Sequence, residues 1–247
     1  MSVSLDDRQQ QQDVLTALNT RYQGQTADDV LRAMIEQEFA GRICVVSSFG
    51  SESTVLLHKV AQIDPTVPVI FLNTGKLFGE TLRYRDRIQS ALGLSDVRAI
   101  APHPDDLKKL DQDGDLWTRN QDQCCHIRKV LPQKRALKGF DAVITGRKRF
   151  QTSARENMGM IEIEDVETGR LRINPLVEHD LASLNAYIEE HNLPRHPLVK
   201  DGYLSIGCMP CTSKVKEGGD YRSGRWAGTD KEECGIHETD FVDGDGI

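Results

Sequence analysis

The sequence predicts an α/β protein: a mostly parallel, twisted sheet with helices on both faces, plus a C-terminal tail that carries chemistry rather than core. Three observations predict it. Short β-branched runs at 43–47, 67–72, 97–101 and 141–145 alternate with longer stretches whose apolar residues recur at helical spacing, and strands joined by helices of that length pair in parallel. Of 247 residues, 38% are hydrophobic and 28% charged, enough apolar material for one core. Beyond Tyr203 periodicity fades and Gly, Lys and Cys take over.

Residues 1–25 are polar and Gln-rich, with a weak helical pattern around Val14, Leu15 and Leu18, and read as an arm. Thr26 followed by Asp29 has the form of a helix N-cap, and Val30, Leu31, Met34, Ile35 and Phe39 continue at helical spacing. The first strand, 43–47, leads through a polar turn at 48–53 into a helix over 54–63. A second strand at 67–72 precedes an amphipathic helix over 78–92, and 97–101 is a third strand. The helix over 125–139 precedes a fourth strand at 141–145. The segments 158–165 and 169–174 alternate around a turn at 167–169 and predict a hairpin. One more helix, over 181–191, completes the body. The organisation is thus an arm (1–25), an α/β body (26–202) and a Cys-bearing tail (203–247).

The net charge of −7 argues against general binding of nucleic acid or anionic membrane. The N-terminus has early acids and no apolar centre, unlike a secretory signal. The longest apolar runs fall far short of the roughly 20 residues a membrane helix needs. A cytoplasmic protein is expected, whose six cysteines are thiols, ligands or nucleophiles rather than disulfides. The charge is uneven: residues 119–155 hold ten Lys or Arg against Asp122 and Asp141, a local +8, which leaves −15 for the remainder. A solvated stripe accounts for many such residues singly, but the cluster favours a small polyanionic ligand.

Ser47, Ser48, Phe49, Gly50, Ser51, Glu52 and Ser53 join the first strand to a helix. Amides and hydroxyls there can face an anion, and the C-terminal edge of a parallel sheet is where such folds bind ligands. A plain capped turn reads equally well, and no Walker A pattern is present. Leu72-Asn73-Thr74-Gly75-Lys76 ends the second strand at the same edge, so the two loops together outline a nucleotide cleft. Gly146, Arg147 and Gln151 follow the fourth strand, and Arg155, Arg222 and Arg225 offer guanidinium forks for phosphate or sulfate oxygens.

Cys124, Cys125, Cys208 and Cys211 form a vicinal pair and a Cys-x-x-Cys. Four thiolates suit zinc or an iron–sulfur cluster, and adjacent cysteines, unusual for structural zinc, tilt the choice towards a cubane. A redox dithiol at 208–211 is the alternative. Cys234 stands apart in a charged tail, as a nucleophile or an incidental residue. Its neighbours Glu232 and Glu233 would raise its pKa, so cationic help has to come from elsewhere. Cys44, inside the first strand, reads as core.

Taken jointly, the motifs at 48–53, 72–76, 124–129 (Cys-Cys-His-Ile-Arg-Lys), 145–151 (Thr-Gly-Arg-Lys-Arg-Phe-Gln), 208–211 (Cys-Met-Pro-Cys), 222–226 (Arg-Ser-Gly-Arg-Trp) and 233–237 (Glu-Cys-Gly-Ile-His) resemble the assimilatory adenylyl-sulfate (APS) reductases of the wider phosphoadenylyl-sulfate (PAPS) reductase family. The resemblance runs in order over roughly 40–237. It implies an adenine nucleotide alpha hydrolase-like fold, with adenylate near Ser47–Ser53, Leu72 and Gly146 and phosphosulfate facing Lys129, Arg155, Arg222 and Arg225. It implies that Cys234 attacks sulfur, expels AMP and carries a sulfonate, which a reduced thioredoxin (or glutaredoxin) releases as sulfite. It further implies one [4Fe–4S] cluster per chain on Cys124, Cys125, Cys208 and Cys211. PAPS-specific members usually lack these ligands, so APS is favoured, with PAPS or dual use as the alternative. Plant-type members add a thioredoxin-like domain; this sequence stops ten residues after His237, so a separate reductant is expected. A homo-oligomer without nucleic-acid or membrane partners is expected. More distant alternatives are a tRNA-thiolating ATP pyrophosphatase, whose phosphate turn differs at Phe49 and Glu52, and a cluster-based redox sensor, which leaves Cys234 unexplained.

Overall fold

The computed structural model describes residues 4–216, 218–229, 231 and 233–237. The acidic end at 238–247 lies outside the described residues. Six strands, β1 (Ile43–Val46), β2 (Val69–Leu72), β3 (Val97–Ile100), β4 (Ala142–Thr145), β5 (Ile161–Asp165) and β6 (Arg170–Ile173), form one sheet in the order β3-β2-β1-β4-β6-β5. All neighbouring pairs are parallel except β5 with β6. The parallel strands at its centre, β1, β2 and β4, are buried along almost their whole length, as strands covered on both faces must be.

Period-two alternation sorts their side chains into two cores. Ile43, Val45, Val69, Phe71, Ala142 and Ile144 point to one face, where they meet Leu31, Leu57, Ile88 and Leu184. Those four come from α2 (Ala27–Ala33), α3 (Ser53–Ile63), α4 (Gly79–Leu92) and α9 (Leu181–Glu190). Cys44, Ile70, Leu72 and Val143 point to the other face and pack against Leu137, which follows α8 (Leu131–Ala136). Cys44 is therefore core, and burial pushes its thiol up to about 12. Thr26 caps α2 by accepting from the Asp29 amide, as the sequence predicts.

Three segments differ from expectation. The N-terminal segment, expected as a polar arm, contains a 17-residue helix, α1 (Leu5–Arg21), closed by a Ser4–Asp7 capping box. It is seated by buried Leu18 and by Gln11, whose amide donates to the Val166 carbonyl at 3.0 Å. Between β3 and β4 two further short helices occur, α5 (Pro104–Leu110) and α6 (Leu116–Arg119), before α7 (Gln121–Cys125). The single helix expected over 125–139 is α7 and α8 joined by a π-helical turn, His126–Val130. The predicted hairpin is β5–β6, bulged between Ile163 and Asp165. Its second strand also pairs with β4, so the hairpin adds the fifth and sixth strands to the sheet.

Candidate active site

The C-terminal ends of β1, β2 and β4 open onto one cleft of about 210 Å³. Ser47, Ser48, Gly50, Ser51, Glu52 and Ser53 line it from the β1–α3 turn, and Leu72 and Thr74 from the end of β2. Gly146, Arg147, Gln151 and Arg155 line it from the segment after β4. Lys129 reaches in from the π turn, and Arg222, Arg225 and Cys234 from the tail. Two expected residues are not part of its wall. Phe49 adopts a left-handed backbone (φ 49°) that turns its ring inward, fully buried and edge-on to Phe71 at 5.3 Å. An aromatic ring gains more in that core than over a polar turn. Gly75, with φ 70°, lies against the Arg128 guanidinium behind the cleft, so it shapes the loop and does not touch the cavity.

Buried ion pairs fix the loops. Lys148 donates to Glu52 at 2.5 Å with both side chains almost fully buried, tying the β4 loop to the β1–α3 turn. Arg128 donates to Asp111 at 2.5 Å and to the Thr74 carbonyl at 2.7 Å, fastening the end of β2 to the π turn that carries Lys129. Ser51 donates to the Leu204 carbonyl at 2.7 Å and lies 3.0 Å from the Tyr221 hydroxyl, joining the phosphate-type turn to the tail. Removing one partner of such a buried pair costs about 3–5 kcal/mol, because the other charge is then left uncompensated. The loops are thus rigid before any ligand arrives.

The tail returns across the cleft through two isolated β-bridges, Leu77 with Cys208 and Thr212 with Arg225. Gly207 has no room for a Cβ, which would strike the Arg225 guanidinium, so this glycine allows that arginine to lie flat against the backbone. Trp226, buried and left-handed (φ 47°), stacks beneath Arg225 at 4.4 Å and Arg222 at 5.7 Å. It also packs with Cys125, Cys211 and Cys234. The cationic groups are therefore held by an aromatic platform on one side and face the cavity on the other.

Cys234 is 6% exposed, and the Lys129 ammonium donates to its sulfur at 3.4 Å. A hydrogen bond from Cys125, the Lys129 charge, the Ile236 amide and Arg225 together pull Cys234 well below the ordinary thiol range, overcoming burial. Burial alone would lower Lys129, but nearby Cys208, Cys234 and Cys125 outweigh it and raise it. The two glutamates beside Cys234 in sequence were the obstacle to a reactive thiolate. Of these, Glu233 is turned towards Arg155 and Thr152, at 2.7 and 2.8 Å. Glu232 lies outside the described residues.

All six cysteines are free thiols. Burial pushes Cys124 up to about 11, with Cys208 and Cys211 adding to the rise, and Cys211 is raised by burial and then by Cys208. Burial thus favours the protonated thiol at Cys124 and Cys211, and a bound cation would ionise them, which is the donor chemistry of a thiolate-ligated metal group. Among the described residues no three His, Cys, Asp or Glu converge closely enough to hold one metal ion. Four sulfur donors of that chemistry are what an iron–sulfur cluster takes.

Glu233, Lys148, Tyr221 and Trp226 were missed as cleft residues. Trp226 and Glu233 lay inside quoted motifs, where spacing alone assigns them no role. A buried thiolate beside an ammonium, facing a cavity lined by five arginines, can attack an electrophilic atom carried on an anion and stabilise the departing negative charge.

Known proteins share this chain's sequence and fold. Residues 42–214 match the phosphoadenosine phosphosulfate reductase domain family. A Chelativorans protein named adenosine 5'-phosphosulfate reductase is 46% identical over 221 residues, covering 89% of both chains. A protein of the same name from Mesorhizobium japonicum is 47% identical over 209 residues, covering 85% of this chain and 81% of that one. The crystal structure of a phosphoadenylyl-sulfate reductase from Candida auris, a phosphate complex, superposes with a TM-score of 0.68 at 28% identity. It covers 87% of this chain and 99% of that one.

Proposed function

The chain belongs to the phosphoadenosine phosphosulfate reductase family, and from that premise we propose that it reduces adenylyl sulfate (APS) to sulfite and AMP in assimilatory sulfate reduction, with reduced thioredoxin or glutaredoxin as electron donor. The observation that carries the reading is the Cys234 sulfur at 3.4 Å from the Lys129 ammonium, in a cleft shared with Arg155, Arg222 and Arg225. Relatives named adenosine 5'-phosphosulfate reductase at 46 and 47% identity favour APS over its 3′-phosphorylated form.

In this reading adenylate lies against the Ser47–Ser53 turn, Leu72 and Gly146. The phosphosulfate faces Arg155, Arg222, Arg225 and Lys129. The Cys234 thiolate attacks the sulfate sulfur; the S–O bond to phosphate breaks, and AMP leaves with its electron pair while the cations stabilise its charge. Cys234 then carries a sulfonate. A thiolate of the reductant attacks the Cys234 sulfur, sulfite departs with the electron pair, and the reductant's second thiol resolves the mixed disulfide. Cys234 is regenerated and the reductant leaves oxidised. Free thiols throughout suit a reducing cytoplasm.

Cys124, Cys125, Cys208 and Cys211 would hold a [4Fe–4S] cluster. That cluster would supply a local field and structural closure rather than electrons. The Thr74 hydroxyl, 3.3 Å from the Cys208 sulfur, and the Lys129 charge are the groups of this chain best placed to tune those ligands.

The test is sulfite release from APS and from PAPS at equal concentration, with thioredoxin, by the wild-type protein and by Cys234→Ser. Faster release from APS, abolished in Cys234→Ser, is expected. A preference for PAPS would assign the other substrate of the family, and undiminished release by Cys234→Ser would remove the nucleophile.

A further inference from the structure

Two arginines of the cleft wall, Arg147 and Arg172, are not among the groups given to the phosphosulfate. Arg147 follows β4, and Arg172 lies on β6 in register with Val143 of β4, so both belong to the β4–β6 side of the cleft. Their side chains are 12% and 6% exposed. Arg172 shares Glu164 with Arg170, at 3.4 and 2.7 Å. Arg147 is held less firmly. Its Nη1 stands 3.9 Å from Glu162 Oε2, beyond hydrogen-bond distance, and Glu162 already accepts from the Gly159 amide at 3.0 Å and from Asn174 at 2.9 Å. Among the described residues, neither Nε nor Nη1 of Arg147 has a hydrogen-bond partner, although both atoms are buried. Arg128, equally buried, is by contrast bonded to Asp111 and to the Thr74 carbonyl. Burial, Arg172 and Arg155 all press against the charge of Arg147, and Glu162 and Glu233 offset them in part. The guanidinium falls to about 10 and so keeps its charge at neutral pH.

A buried cation crowded by other cations and incompletely compensated lowers the stability of the fold that holds it. Such a charge on the wall of a cleft is the counterpart of an anion brought by the ligand. We propose that Arg147, backed by Arg172, forms a second anion subsite of the cleft, which takes a further tetrahedral oxyanion of the bound nucleotide beyond its 5′-phosphate. The proposal rests on the functional reading above and deepens it. In APS that further group is the sulfuryl end; in a 3′-phosphorylated nucleotide it is the 3′-phosphate. Both present oxygens that a guanidinium fork can meet, and both would supply the charge that Glu162 and Glu164 leave unbalanced. Arg147 thus costs the free protein stability and adds affinity for a nucleotide that carries two anionic groups.

Arg147→Met keeps much of the side-chain bulk and removes the charge. The probes are AMP, ADP and adenosine 3′,5′-bisphosphate, each titrated calorimetrically into the holoprotein. ADP carries a second anionic group where APS carries its sulfuryl group, the bisphosphate carries one on the 3′ oxygen, and AMP carries neither. At least one of the two doubly charged probes is expected to bind Arg147→Met about ten-fold more weakly than wild type, while AMP changes by no more than about two-fold. The probe that loses affinity shows which end of the nucleotide the subsite meets. The melting temperature of Arg147→Met without nucleotide is expected to equal or exceed that of wild type, a result that removal of a structural arginine would not give. Glu162→Gln leaves Arg147 in place and removes the carboxylate beside it, so the same probe is expected to bind a few-fold more tightly. That variant keeps the test available if Arg147→Met misfolds. Unchanged affinity of Arg147→Met for all three nucleotides, or an equal loss for all three, overturns the subsite and leaves the functional reading standing. A wild-type holoprotein that binds none of the three would overturn both.

Discussion

The Lys129 ammonium supplies, beside the hydrogen bond from Cys125, the cation that Cys234 needs. The sequence places two glutamates beside this cysteine, and the fold answers by bringing Lys129, 105 positions away, to 3.4 Å from its sulfur. No local pattern could reveal that contact, because it depends on a π-helical turn that aims Lys129 inward and on a tail that folds back across the sheet edge. Lys129→Met keeps the side-chain bulk and removes the charge. The rate of sulfonate formation on Cys234 is expected to fall roughly 10²–10³-fold, the usual loss when one preorganised cationic or hydrogen-bonding group is deleted. Quenched-flow measurement of AMP release in a single turnover checks this, and a rate within two-fold or so of wild type would contradict it. Phe49 teaches the opposite lesson at the same scale. It sits inside a motif that was legible, and yet its ring belongs to the core, because a left-handed backbone there reverses the side chain.

Among elements, the four parallel β/α units were legible almost to the residue, since β-branched runs and helical spacing are local signals. The structure trims each of these four expected strands by at most two residues at either end. Helices α5 and α6 were not legible: they are seven and four residues long, α5 buries none of its residues and α6 only Leu116, so no apolar stripe announces them. The N-terminal helix is similar, with Leu18 as its one buried residue. The segment that leads from α9 back to the cleft is pinned by His196, which is 1% exposed. The ring accepts the Leu198 amide at Nδ1, 3.2 Å, so Nε2 carries the proton towards Thr81 of α4 at 3.0 Å. Burial lowers its pKa to about 4. In the unfolded chain the ring takes up its proton near pH 6.5, whereas the folded protein refuses it until about pH 4. The stability tied to neutral His196 is therefore complete above pH 6.5 and is lost as pH falls towards 4, by up to about 3 kcal/mol. His196→Asn keeps the amide acceptor but cannot titrate. Urea unfolding at pH 7 and near pH 4.5 is expected to show wild type losing more stability than this variant. Equal losses would contradict the assignment.

Across the whole molecule, charge is sorted by the fold. The net −7 conceals a +8 stretch, and the structure turns Lys129, Arg147 and Arg155 from that stretch onto the cleft while Arg222 and Arg225 arrive from the tail. Others are paired internally, Lys148 with Glu52 and Arg128 with Asp111, and on the cleft itself Arg155 holds Glu233. The sequence motifs therefore point to the sheet edge onto which the cleft opens, but not to which cations are already paired within the chain. That division depends on partners up to about a hundred positions distant. The buried nucleophile, its ammonium and its arginines converge only because the tail crosses the C-terminal edge of the sheet. The central claim is that this convergence makes Cys234 the acceptor of a sulfonate. Incubating the anaerobic holoprotein with APS in the absence of any thiol reductant, followed by intact-mass and peptide analysis, tests it most directly. One sulfonate per chain on the peptide containing Cys234, with one AMP released and no free sulfite, is the expected result. Sulfite released without reductant, or a sulfonate carried on any other cysteine, would contradict it.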